Sequence, residues 1–104
     1  MIKKILNSKS QNYFCTIAIG KAYEKNFKNF TLGFFKEYCK KNDIGLILIT
    51  KDLIDKNSDH WKKPEWQKLL APKIILNKFK KIKNICMIDT DILINTSSPN
   101  IFKF

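Results

Sequence analysis

Ile85-Cys86-Met87-Ile88-Asp89-Thr90-Asp91-Ile92-Leu93-Ile94 is the stretch on which the fold turns. Ile85 to Ile88 make a short apolar run of the kind buried on both faces of a parallel sheet. Two aspartates, one residue apart, follow at once. In open α/β sheets ligands bind beyond the carboxyl ends of the strands, so Asp89 and Asp91 fall where a site is expected. Carboxylates so placed suit a hard divalent cation, which takes oxygen ligands and shares them with phosphates. The plainer alternative is that they cap or solvate a turn.

Working back from this strand, a lysine-rich turn (Lys80, Lys81, Lys83, Asn84) separates it from a helical period through Trp66, Leu69, Leu70, Ile74 and Phe79. Pro72 lies inside that period and should either kink the helix or mark the first turn of a second one. Lys51 to Pro64 is polar and is expected to be loop. Ile44-Gly45-Leu46-Ile47-Leu48-Ile49-Thr50 predicts another buried strand. Before it, Tyr23, Phe27, Phe30, Phe34 and Tyr38 recur every three or four residues, with Lys25, Lys28, Lys36 and Lys40 between them. That period predicts an amphipathic helix whose aromatic stripe faces the sheet. Gly33 within it suggests close packing, since glycine costs a helix about 1 kcal/mol relative to alanine. Tyr13 to Ile19, closed by Gly20, predicts the first strand, and residues 1–12 a loose polar lead-in. The expected order is β-α-β-α-β, an α/β fold with a mostly parallel sheet and the aspartates after the third strand.

A chain of 104 residues supports one small domain, and 44% hydrophobic content belongs to a folded protein. The net charge is +11, yet all 20 basic residues are lysine. Base readout and bidentate phosphate clamping favour arginine, so no specific nucleic-acid partner is expected. Lysine, isoleucine, asparagine and phenylalanine are all abundant, so the charge is read first as the compositional bias of an A+T-rich genome. The alternative is an attraction to anionic substrates or a peripheral attraction to an anionic membrane. No apolar run approaches the length of a membrane span. The amino terminus makes no convincing signal peptide, so a cytoplasmic location is expected. Cys15, Cys39 and Cys86 are scattered in apolar surroundings, as buried free thiols would be. His60 is the sole histidine and has no cysteine near it, which argues against zinc.

Trp66-Gln67-Lys68-Leu69-Leu70-Ala71-Pro72, the strand with its aspartates, and Ser98-Pro99-Asn100-Ile101-Phe102 together resemble nucleotide-sugar glycosyltransferases of the GT-A fold, and family-8-like enzymes in particular. The resemblance covers nearly the whole chain but only the amino-terminal, donor-binding half of such an enzyme. It implies a partial, Rossmann-like GT-A domain over residues 13–104 that transfers sugar to a glycan or lipid-linked acceptor. It implies that Asp91 ligates Mn²⁺ or Mg²⁺ against the donor diphosphate, and that Asp89 shares the metal or binds the ribose. Thr90 would offer backbone to the nucleotide, while Ile17, Ala18 and Ile19 would lie beside its base and ribose. Lys68 stands where relatives often carry arginine and could reach the phosphates, or be a solvated helix lysine. Trp61 and Trp66, which flank Pro64, are expected to pack.

The second half of such enzymes often supplies a histidine to the metal, and His60 does not match it. The chain is therefore expected to be a truncated fragment. An inactive remnant or a basic α/β nucleotide-binding module is the alternative. A haloacid-dehalogenase-like phosphatase fits less well, because Leu93 stands where threonine or valine is expected and the motif follows the third strand instead of the first.

Overall fold

The computed structural model describes residues 2–53, 57, 70–90 and 97–103. Three of its strands are the apolar runs: β2 (Asn12–Ile17), β3 (Gly45–Ile49) and β4 (Asn84–Met87). A further strand, β1 (Ile2–Leu6), precedes them. The sheet order is β1-β3-β2-β4. β2 runs parallel to both β3 and β4, whereas β1 is antiparallel to β3.

The α/β class stands, but the sheet is mixed and not mostly parallel, and Ile2–Leu6 are no loose lead-in. Two local features hid β1. Lys3 and Lys4 break the apolar alternation, although the Lys4 ammonium is held over the Phe79 ring at 4.7 Å. The register also slips between Lys4 and Leu6, where Ile47 and Leu46 are the successive partners. This bulge sets two residues against one and brings both Ile5 and Leu6 to the same core cluster. β1 covers one edge of β3, all five residues of which are buried. The loop after β1 is tied down as well: the Ser8 and Ser10 hydroxyls donate to the Asp43 carbonyl, and the Lys9 N–H donates to Asp43 Oδ1 at 3.1 Å.

Between β2 and β3 runs one helical segment in three parts: α1 (Lys21–Asn26), a π-helical turn (Phe27–Thr31) and α2 (Leu32–Asn42). It buries Phe27, Thr31, Phe35, Tyr38 and Cys39. Tyr23, Phe30 and Phe34 are exposed, so the expected aromatic stripe is split. A π turn takes more residues per revolution than an α turn. Steps of four therefore keep Phe27, Thr31 and Phe35 on one face, and Phe30 and Phe34 rotate off it. Gly33 marks no close approach, because a Cβ there would meet nothing within 4 Å. The segment closes at Asn42-Asp43, in a Schellman arrangement. Asp43 adopts φ 51°, and the Ile44 N–H donates to the Cys39 carbonyl at 2.8 Å.

α3 (Ala71–Lys78) carries Pro72 in its first turn, where a missing N–H costs nothing. The two helical regions lie on opposite faces of the sheet. Phe27, Phe35, Tyr38 and Cys39 pack with Phe14, Ala18, Leu46 and Leu48 on one face. On the other, Ala71 and Ile75 pack with Tyr13, Cys15, Ile47 and Ile49. Right-handed crossovers require this arrangement when the chain moves from β2 to one side and then back past it to the other.

The three cysteines are free; Cys15 and Cys39 are buried, and Cys86 is half-buried. Burial pushes the Cys15 and Cys39 thiols from an ordinary 9.0 up to about 12. The unfolded chain thus releases these protons first as pH rises. Their contribution to stability is full below about pH 9 and is lost progressively toward pH 12. Melting curves across this alkaline window should fall more steeply for the parent than for a Cys15→Ala/Cys39→Ala variant.

Candidate functional site

β2 is the branch point of the sheet. Its parallel neighbours, β3 and β4, lie on opposite sides, so the crossover connections diverge from it. Such a topological switch opens a crevice at the carboxyl ends of the strands, because the segments leaving adjacent strands turn to opposite faces. By that rule a ligand is expected beyond the ends of β2 and β4, the parallel neighbours on the side away from β3.

Backbone hydrogen bonds fix the level at which each strand stops. The Ile88 N–H donates to the Cys15 carbonyl at 2.9 Å, carrying the β2–β4 pairing one step beyond Met87. On the other side of β2, the Ala18 N–H donates to the Ile49 carbonyl at 2.8 Å. Beyond these bonds Ile19-Gly20 and Asp89-Thr90 leave the sheet at the same end. Gly20 has φ 102° and ψ 143°, backbone that side-chain-bearing residues rarely adopt, and it leads directly into α1. Sequence reading took Gly20 only as the end of a strand; its position beside the switch could not be seen without knowing which side of β2 the third strand joins.

Of the expected site residues, Ile17, Ala18, Ile19, Asp89 and Thr90 come to this end of the sheet. Ala18 is buried in the core, and Ile17, Ile19 and Thr90 are half-buried. Asp89 is exposed. Lys68 and Asp91 lie outside the described residues, as do His60, Trp61 and Trp66. Among the described residues no group of three or more His, Cys, Asp or Glu side chains gathers as a metal site. The donor chemistry of Asp89 still fits a hard cation, since an exposed carboxylate at a strand end offers oxygen and leaves room for water and phosphate ligands.

Residues 99–102 are anchored beside the carboxyl end of α2. The Tyr38 hydroxyl donates to the Pro99 carbonyl at 2.6 Å and accepts from the Ile101 N–H at 3.1 Å. Phe102 lies against Phe14, with ring centroids 5.8 Å apart, and Phe14 stacks on Tyr38 at 5.7 Å. Tyr38 was legible as a core aromatic, but nothing in its spacing signalled that its hydroxyl would hold residues 99–101.

The chain matches no family model, no curated protein and no solved structure. Among the described residues no helix is long and apolar enough to cross a membrane.

Proposed function

We propose that the chain is the donor-binding portion of a Rossmann-like GT-A glycosyltransferase. It would take a nucleoside diphosphate sugar into the crevice between β2 and β4, for transfer to a glycan or lipid-linked acceptor. One observation carries this reading: the Asp89-Thr90-Asp91 motif begins where β4 ends, beside the end of β2, at the switch point of the sheet.

In this reading the backbone around Ile17, Ala18 and Ile19 forms one wall of the crevice, against which base and ribose lie. Gly20 lets the chain turn away without a side chain at that corner. Asp89 and Asp91 would hold Mn²⁺ or Mg²⁺, and Lys68 would serve the phosphates. The metal, when bound, supplies Lewis-acid neutralisation of charge on a departing diphosphate. The carboxylates would fix where that charge is held, and the backbone at Ile17 to Ile19 would exclude water from one side of the nucleotide.

Calorimetric titration with UDP- and GDP-sugars, with and without Mn²⁺, tests the proposal. Binding should require the metal, and Asp91→Ala should weaken it roughly a hundredfold or more, as loss of a charged ligand does. Asp89→Ala should weaken it as well. Metal-independent binding that neither substitution changes would refute the assignment.

A further inference from the structure

The helical segment from Lys21 to Asn42 presents apolar surface that the sheet does not use. Tyr23 is 67% exposed, Phe30 69% and Phe34 48%. Phe30 and Phe34 are four residues apart and so share one side of the helix. Tyr23 lies about two turns before Phe30. The π turn is what sends Phe30 and Phe34 outward, since the same backbone shift brings Thr31 and Phe35 into the core. Leaving three aromatics in water is unfavourable, and exposed apolar groups gathered on one element mark a surface that meets something.

Charge indicates what. The segment carries six lysines against two glutamates. Lys21, Lys25, Lys28 and Lys40 are exposed, and Glu24 pairs with Lys28 at 3.6 Å. Exposed aromatic side chains on a helical segment of net positive charge match the interfacial region of a bilayer. Rings enter the acyl boundary while the flexible lysine stems lift their ammonium groups to anionic headgroups. Nucleic acid fits less well, because base stacking uses aromatics set in a groove and commonly arginine, which this chain lacks.

We infer that the exposed face of this helix, with Phe30 and Phe34 at its centre and Tyr23 beside them, docks the protein on an anionic lipid surface. The inference is independent of the donor-site proposal: it uses a different element and needs no nucleotide. Sedimentation with lipid vesicles tests it, using phosphatidylcholine vesicles with and without about a third of phosphatidylserine. The full chain should pellet with the anionic vesicles and not with phosphatidylcholine alone.

Phe30→Ser/Phe34→Ser should lower that partitioning roughly tenfold or more, with the circular dichroism spectrum retained, because apolar insertion and charge act together. Lys25→Glu/Lys40→Glu should also lower it, and salt should weaken the parent's binding. The inference is overturned if the parent ignores anionic vesicles, or if the aromatic variant binds them as the parent does. It is likewise overturned if the parent binds single-stranded RNA in preference to the vesicles and the aromatic variant loses that binding.

Discussion

Phe35→Ala is expected to destabilise the protein by about 4 kcal/mol, while Phe34→Ala, one residue away, should cost less than about 1 kcal/mol. Phe35 is fully buried beneath the helix and meets Phe27 edge-on, with ring centroids 5.4 Å apart at 82°. Its neighbours in the cluster include Phe14, Ala18 and Leu48, all held by the sheet. Removing the ring therefore leaves a void that the sheet cannot collapse to fill. Phe34 is nearly half exposed and surrenders little buried surface. Domains of this size have about 5–15 kcal/mol of stability in all, so the contrast should be plain in urea denaturation. The pair also tests the helical phase. A regular helix would bury Phe34 and expose Phe35, and would give the opposite ranking.

Gly45→Ala should cost about 3 kcal/mol, although it adds a single methyl group. Gly45 begins β3 directly opposite Tyr13 in the parallel pairing. A Cβ at Gly45 would land on the Tyr13 ring, against its Cδ2, Cε2 and Cζ atoms. The ring has little room to retreat: Tyr13 is buried, its hydroxyl accepts the Ser8 N–H at 3.0 Å, and Lys4 lies over its face at 5.7 Å. Displacing it would also loosen the loop that Ser8 ties to Asp43. Thermal melts of Gly45→Ala, Tyr13→Ala and the double variant provide the check. If the clash is the cause, the double variant should be more stable than the sum of the two losses predicts.

Much of the fold was legible because its signals are local. The continuous apolar runs around Phe14, Ile47 and Cys86 each became a strand. Pro72 took the first-turn position, one of the two places its chemistry allows. What was not legible depends on register and phase. β1 is masked by two lysines and a bulge, and pairing with β3 compensates for its weak pattern. The helix follows its expected bounds, but a single π turn inverts the roles of Phe34 and Phe35. At the site, the aspartates could be placed after a strand from their sequence alone. That this strand joins β2 on the side away from β3 is a tertiary fact, and it is what brings Asp89 to the same end of the sheet as Ile17 and Ala18.

The most direct test of the donor-site proposal uses the paramagnetism of Mn²⁺ in amide nuclear magnetic resonance spectra, recorded with UDP present. Broadening should concentrate on the amides of residues 17–20 and 88–91. Those of Ser8, Lys9, Ser10 and Asp43, at the amino ends of β2 and β3, should keep their intensity. Broadening centred on Asp43, or spread evenly over the chain, would contradict a metal–nucleotide site at the end of β4.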